Sequence, residues 1–383
     1  MSVTAAAGFR AAGVAAGLKG GRALDVALLV NDGPRHHAAA VFTANRCRAN
    51  SVLWSEQAVK DGVARAVVVN SGGANCYTGP AGLQTTHATA ERVAERLGIR
   101  AGDVLVCSTG LIGVPVDRDL LLAGVDRVVQ DLGPDPGGTA ARAIMTTDSV
   151  PKQTSVAGAG FTVAGMAKGA GMLAPAMATM LAFLTTDADV DAAACDRALR
   201  AATRVTFDRL DSDGCMSTND TVALLASGAS GVTPAYDDFA AAVRAVCHDL
   251  VMRLLADAEG AHHQIGIEVV NAAGEDDAVA VARSVARSSL VKCAVFGRDP
   301  NWGRILAAIG TTDAAFDPAD LDVALNGVWV CRRSAPAEPP TRVDLEPREV
   351  AVTVDLKAGT AQATVWTNDL TTAYVEHNSA YSS

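Results

Sequence analysis

Aromatic rings are scarce in this chain: Phe, Tyr and Trp supply 4% of its 383 residues. A core that cannot lean on large rings must use small aliphatic groups and close backbone packing, and 35 glycines with many alanines fit that. Positive charge is also in deficit. Against 42 Asp and Glu stand 32 Lys and Arg, a formal net charge of −10, which argues against the basic footprint of general nucleic-acid binding. No two of the eight cysteines (47, 76, 107, 195, 215, 247, 293 and 331) have Cys-x-x-Cys spacing. That removes the usual zinc and dithiol motifs and leaves free thiols in a reducing cytosol. No run of about 18 apolar residues offers a membrane span. Met1–Arg10 lacks a charged segment followed by an unbroken apolar one, so no secretory signal is read and a cytoplasmic location is expected. What the chain does have is 49% hydrophobic residues, ample for a large core in one to three domains.

Hydrophobic runs and turn residues predict a mixed α/β order. Short strands are expected at 8–14, 23–30 and 38–43, separated by Gly/Asp/Pro clusters. The β-branched run Val67-Val68-Val69 ends in Asn70-Ser71-Gly72-Gly73-Ala74-Asn75. Those side-chain amides either hold backbone near a site or make Asx turns without a ligand role. A helix at 81–97 stops at Gly98. A strand ending at Cys107 runs into Ser108-Thr109-Gly110, where a hydroxyl and a backbone N–H can converge on one spot. Met145-Thr146-Thr147-Asp148 reads as an ST turn at a helix end, followed by a hairpin of 153–156 with 161–164. Beyond residue 190 the pattern predicts helices at 192–206, 239–256 (capped by Asp237-Asp238) and 276–288, and strands at 221–226 and 265–270. Asp299-Pro300-Asn301-Trp302-Gly303-Arg304 reads as a rigid turn, and 350–356 with 360–366 as a hairpin around Lys357-Ala358-Gly359. The acidic run Asp211-Ser212-Asp213-Gly214 lacks the glycine and glutamate positions of a calcium loop. His262 and His263, adjacent in a strand, would point to opposite faces and cannot easily chelate together, so no metal is expected.

The stretch 165–187 organises the rest. Glycines at 165, 169 and 171 permit close backbone approach, Pro175 fixes a bend, and Thr179 opens the strand-like run Met180-Leu181-Ala182-Phe183-Leu184. By itself this is either a buried strand entered through a Gly/Pro turn, with Thr179 packing, or a threonine nucleophile placed near Lys168.

The run Lys168-Gly169-Ala170-Gly171-Met172-Leu173-Ala174-Pro175-Ala176-Met177-Ala178-Thr179-Met180-Leu181-Ala182-Phe183 closely resembles the self-cleavage segment of the ornithine acetyltransferase (glutamate N-acetyltransferase) family of arginine biosynthesis. The resemblance recurs in 70–75, in Ser108-Thr109-Gly110-Leu111-Ile112-Gly113, in Met145–Asp148, in Ser217-Thr218-Asn219-Asp220-Thr221 and in Glu259-Gly260. It is weakest over 315–383, although the end, Asn378–Ser383, again looks like the family's terminus.

The resemblance implies an αββα sandwich of the self-processing, N-terminal-nucleophile-like type over 1–314, with a smaller β-rich portion at 315–383. It implies self-cleavage at Ala178–Thr179 into fragments 1–178 and 179–383, with two copies of each fragment in the assembly. Thr179 would then be the nucleophile, Thr109 and Gly110 the oxyanion hole, and Thr146, Lys168, Thr179, Glu259, Asn378 and Ser383 the substrate-binding residues. The implied substrates are N2-acetylornithine and glutamate, with acetyl-CoA a second donor in some members and no metal or other cofactor. Where the family commonly reads Glu-Gly-Ala-Thr-Lys, this chain has Glu259-Gly260-Ala261-His262-His263, so a contact made by that lysine is missing. A self-cleaving aminopeptidase of similar architecture and a non-catalytic paralogue are the rival readings.

Overall fold

The structure is a computed structural model that describes residues 2–173 and 180–380. Ala178, Thr179 and Ser383, three of the expected cleavage and site residues, lie outside the described residues. The chain forms two compact units. One runs to Asp208 and resumes over Cys215–Asp257; the other joins Arg209–Gly214 to the chain from Ala258 onward.

The first unit contains strands β1 (Phe9–Val14), β2 (Val26–Asn31), β3 (His37–Phe42), β4 (Ala66–Asn70), β5 (Val104–Ser108), β6 (Lys152–Ala157), β7 (Thr162–Lys168), β8 (Leu181–Thr186) and β9 (Thr221–Ala226). Its helices are α1 (Asn50–Ala58), α2 (Gly79–Leu97), α3 (Arg118–Gln130), α4 (Thr139–Ala143), α5 (Ala192–Val205) and α6 (Tyr236–Ala256). Two sheets form, ordered β1-β2-β4-β5 and β3-β9-β8-β7-β6. Strand alternation explains why β2, β4 and β5 are apolar on both sides. Ala27, Leu29, Val67, Val69, Leu105 and Cys107 face one core, shared with Phe183, Leu181 and Leu225 of the other sheet. Val26, Leu28, Val30, Val68, Val104 and Val106 face a second core with Val93 of α2 and Leu121, Val125 and Val128 of α3. On the far side α6 packs on β6 and β7 and α5 on β3. A Cβ on Gly165 would stand 3.0 Å from Val246 and 3.1 Å from Leu250, so that glycine sets how closely α6 can lie. The layers are therefore α/β/β/α. Phe183, wholly buried, is a keystone of the inter-sheet core; Phe→Ala in such a place costs about 3–5 kcal/mol.

The second unit contains β10 (Gln264–Ala272), α7 (Glu275–Arg287), α8 (Ser289–Phe296), α9 (Trp302–Ile309), β11 (Asp322–Leu325), β12 (Val328–Arg332), β13 (Ala335–Pro336), β14 (Glu349–Asp355), β15 (Ala361–Asn368) and α10 (Thr372–Ala380). One sheet, β13-β12-β11-β14-β10-β15, buries one face against α7, α8 and α9 through Ile265, Ile267, Val281, Val285, Val291, Ile305 and Ile309.

Several expectations need correction. The core expected to reach residue 314 ends at Asp257, because β10 pairs with β14 and β15 of the tail. The hairpin expected at 350–356/360–366 is split. β10 lies between its arms, parallel to β14 and antiparallel to β15, and the connecting loop crosses the strand end, Ala358 and Gly359 amides bonding Asn271 O. There a Cβ on Gly359 would meet Ala272 O at 2.4 Å, so the crossing requires glycine. Asp237 and Asp238 do not cap α6: Ala235 is the cap residue, and the two acids sit in the first turn, where they still favour the helix dipole. Only Asp299–Asn301 is a turn, since Trp302 already begins α9. The tail is helical over Thr372–Ala380, the segment that carries Asn378.

Candidate active site

Three buried asparagines brace the end of β5. Asn70 Nδ2 donates to Gly73 O at 2.9 Å while its Oδ1 accepts from Ser108 Oγ at 2.6 Å. Asn219 Nδ2 donates to Ala74 O at 2.6 Å and to Ser108 O at 2.8 Å. Asn75 Nδ2 ties back to Gly82 O and Thr86 Oγ1, both at 2.9 Å. Asn70 and Asn75 are thus backbone braces. The turn they hold pairs Thr109 N with Asn70 O and Gly73 N with Thr109 O. Gly110 follows at φ +129°, and a Cβ there would stand 2.7 Å from Gly73 N, so only glycine fits. Thr109 is buried and Gly110 exposed, and the Gly110 amide bonds no other described residue.

Lys168 ends β7 with 1% of its surface exposed, and its Nζ donates to Thr109 Oγ1 at 3.2 Å. A hydroxyl that accepts from an ammonium is polarised and becomes a better donor in turn. Thr109 and Gly110 therefore offer an O–H and an N–H from one turn, the donor pair that stabilises a developing oxyanion.

Asp148 joins the remaining pieces. Its carboxylate accepts from Gly169 N at 2.6 Å, Lys152 Nζ at 2.7 Å and Thr146 N at 3.0 Å. Burial alone would raise its pKa, but Lys168 and Lys152 outweigh that and hold it below the usual carboxylate range. Thr146 is exposed, with its amide fixed by this anion. Lys19, from the loop between β1 and β2, donates to Met145 O at 2.6 Å and Leu24 O at 3.0 Å. Burial, opposed by Asp25 and Asp148 and reinforced by Lys168, lowers its pKa to about 8 in all.

In the five-stranded sheet Lys168 pairs with Leu181, and Leu181 with Thr221. Met180, bonded through its nitrogen to residue 179, donates that N–H to Asp220 Oδ1 at 3.0 Å and accepts from Thr221 N at 3.3 Å. Asp220 is wholly buried, and burial raises its pKa well above the ordinary value against the Met180 amide, the Ser217 hydroxyl and Lys168.

Glu259 and Asn378 belong to the second unit. Glu259 is buried with Oε1 4.0 Å from His377 Nε2. The following Gly260, at φ +64°, is pressed against Tyr374 N, which a Cβ would approach to 2.4 Å, and Gly260 O accepts from Thr371 Oγ1. Asn378 is exposed and its Nδ2 bonds Tyr374 O within α10 at 3.0 Å. His263 is engaged at both ring nitrogens, by Asp369 Oδ2 at 2.8 Å and Leu345 O at 3.1 Å. His262 lies against Phe296, ring centroids 5.5 Å apart. Among the described residues no cluster of three His, Cys, Asp or Glu is arranged to hold a metal.

The structure thus gathers Thr109, Gly110, Lys168 and Met180, and links Thr146 to them through Asp148. Sequence reading gives no role to Lys19 or Asp148, and takes Asn219 and Asp220 only as part of a structural, site-supporting turn. Asp148, Asn219 and Asp220 do lie inside the motifs quoted above, where an acid or amide in a turn already has a local use.

The ArgJ family model matches residues 10–383. The "Arginine biosynthesis bifunctional protein ArgJ" of Streptomyces avermitilis is 63% identical over 383 residues, covering all of both chains. That of Mycobacterium tuberculosis is 55% identical over 389 residues, covering 100% of this chain and 96% of its own. The crystal structure of the Bacillus halodurans protein of that name is 35% identical, with a TM-score of 0.50 over 52% of this chain and 98% of the solved one. A match of this length and identity, on a four-layer fold carrying the Thr109–Gly110–Lys168 group, means that the chain belongs to the ArgJ family.

Proposed function

We propose that this ArgJ-family enzyme cuts itself at Ala178–Thr179 and then moves acetyl from N2-acetylornithine to glutamate through an acetyl-Thr179 intermediate. The observation that carries the reading is the Lys168–Thr109 contact at 3.2 Å, in a sheet where Lys168 pairs with Leu181, two residues after Thr179. In the first stage the Thr179 hydroxyl attacks the Ala178 carbonyl, the peptide nitrogen leaves as the α-amine, and water hydrolyses the resulting ester. β7 and β8 then belong to different fragments yet remain neighbours in one sheet, so fragments 1–178 and 179–383 stay together. The Bacillus halodurans chain, matched nearly whole by about half of this sequence, is what a family cut near its middle would give.

In the second stage the α-amine, with an ordinary pKa of about 7.7–8.0, takes the proton of its own hydroxyl. The alkoxide adds to the acetyl carbonyl, and the oxyanion is held by Thr109 Oγ1–H and Gly110 N–H. Collapse expels ornithine, which takes the proton from the ammonium; glutamate's amine attacks the ester in the reverse sense and leaves as N-acetylglutamate. One amide replaces another, so the exchange needs no nucleotide and no metal. Thr146, Lys168, Glu259, Asn378 and Ser383 bind the amino-acid portions, acetyl-CoA serves as a second donor for glutamate, and the enzyme works in the cytoplasm as two copies of each fragment.

Intact-mass measurement of the purified chain tests the first stage: the second fragment begins at Thr179, and Thr179→Ala protein stays whole and transfers no acetyl. Splitting and normal transfer by Thr179→Ala would refute the assignment. Free acetate in place of N-acetylglutamate would make the enzyme a hydrolase.

A further inference from the structure

The second unit holds a pocket of about 300 Å³, a volume at the lower end of small-molecule sites, and Thr146, Lys168, Glu259 and Asn378 do not line it. Its walls come from Ser212 and Asp213, from the junction of α7 and α8, and from the connection between β15 and α10. Lys292 lines it with 7% of its surface exposed. Its Nζ donates to Ser212 O and, at 3.2 Å, to Thr367 Oγ1. Both acceptors are neutral, and among the described residues Lys292 makes no ion pair. An ammonium has three protons to donate, so one is left over. The other charges here are matched: Arg287 Nε bonds Asp211 Oδ2 at 2.7 Å, and Asp369 takes the His262 and His263 amides at 2.9 Å and His263 Nδ1 at 2.8 Å. Burial pulls the Lys292 pKa below its ordinary value, against the pull of Asp213, Asp211 and Asp369. A buried charge without a contacting counter-charge is costly, and a ligand carboxylate would supply one and take the third proton. Ser289, which opens α8, also lines the pocket, so the positive end of that helix favours the same anion. A bare anion would still face Asp213 and Asp369; a ligand with an ammonium beside its carboxylate answers both signs. The rest of the lining, Ala286, Leu370 and the Tyr374 ring, suits a small apolar side chain.

We propose that this pocket binds a free α-amino acid with a small apolar side chain, its carboxylate on Lys292 Nζ and its ammonium toward Asp213. The floor is built in advance. Ser212 Oγ donates to Asn368 Oδ1, and Asn368 Nδ2 to Asp369 O at 3.0 Å, which fixes the residue whose carbonyl holds Lys292. The site makes no use of the acetyl-transfer chemistry and stands whether or not that reading holds.

The test titrates the full chain calorimetrically with L-valine, with isovalerate (valine without its amine) and with isobutylamine (valine without its carboxylate). The proteins are wild type, Lys292→Met, Ser289→Phe and Lys168→Met. Wild type is expected to bind valine, and to bind each of the other two about tenfold more weakly or worse, since each has lost one charged contact. Lys292→Met removes the carboxylate's partner, and Ser289→Phe fills the pocket from its exposed edge. Both should weaken valine binding by about tenfold or more. Ser289→Phe should keep the melting temperature and acetyl transfer of wild type, and Lys168→Met should bind valine normally. Failure of wild type to bind valine overturns the proposal, as does isovalerate binding equal to that of valine. Valine binding that survives in Lys292→Met and is lost in Lys168→Met would place the ligand in the transfer site and also overturn it. If Lys292→Met does not fold, Ser289→Phe decides alone: weakened valine binding sustains the proposal and unchanged binding ends it.

Discussion

Lys152 begins β6 and Lys168 ends β7, neighbouring strands of one sheet, and both side chains are about 1% exposed. Lys152 Nζ meets two carboxylates, Asp148 at 2.7 Å and Asp257 at 2.6 Å. Lys168 Nζ reaches a neutral hydroxyl, Thr109 Oγ1, at 3.2 Å. A desolvated ammonium closed off by two anions holds structure together and has little left to offer a ligand. One that polarises a hydroxyl at a turn ending in an exposed glycine amide can respond to charge arriving from outside. Two buried lysines one register position apart on neighbouring strands thus divide the work of holding and reacting, and Asp148, under the influence of both, couples the two corners.

Breaking the comparison begins with Lys152. Lys152→Met leaves Asp148 and Asp257 without their shared cation, and removal of one partner from a buried ion group costs about 3–5 kcal/mol. A large drop in melting temperature or urea midpoint is expected, with kcat of the surviving folded fraction near normal. Lys168→Met should invert that pattern. Loss of one contributor to an oxyanion site typically costs about 10²–10³-fold in rate. The expected result is a fall of that order in kcat, measured as ornithine release, with a far smaller stability change than at Lys152. Equal melting losses in both variants would erase the distinction.

The sequence made the strands and the site's chemistry readable for different reasons. β9 was legible at its full extent because Thr221–Ala226 is a bounded apolar run. The split of β14 from β15 was not, since local patterning gives two strands and a glycine turn whether or not a third strand inserts between them. Thr109 and Gly110 were visible as a strand-end turn, and the family resemblance supplied their role. Asp148 and Asp220 were hidden because their partners, Gly169 and Met180, stand 21 and 40 positions away, and no periodicity reports a contact at that range. Lys19 was hidden for the same reason: its acceptor on Met145 is 126 residues distant.

Acid sharpens the link through Asp148. Its folded pKa is depressed, so its stabilising contribution is present above the ordinary value of about 3.9 and is lost as pH falls through the lower folded value. Wild type should therefore be more stable than Asp148→Asn by a constant margin above about pH 5. The margin should shrink below about pH 4, read by urea unfolding at each pH. A margin unchanged down to pH 2 would mean that the two lysines do not stabilise the anion.

Lys19 gives the smallest effect and the finest test of how far the reacting corner extends. Its ammonium anchors Met145 O, one residue before Thr146, but it is more open than Lys152 or Lys168 and, among the described residues, bonds only backbone carbonyls. Lys19→Met should leave melting nearly unchanged and raise KM several-fold, because the Thr146 amide is still held by Asp148 while the neighbouring carbonyl loses its cation. In wild type the same loss of anchoring sets in as Lys19 gives up its proton, at about pH 8 rather than above 10. KM should therefore rise through that range in wild type and stay flat in Lys19→Met, since the variant has no proton there to lose. A KM that rises equally in both proteins would place the titration elsewhere, the Thr179 amine being the nearest ordinary candidate in that range.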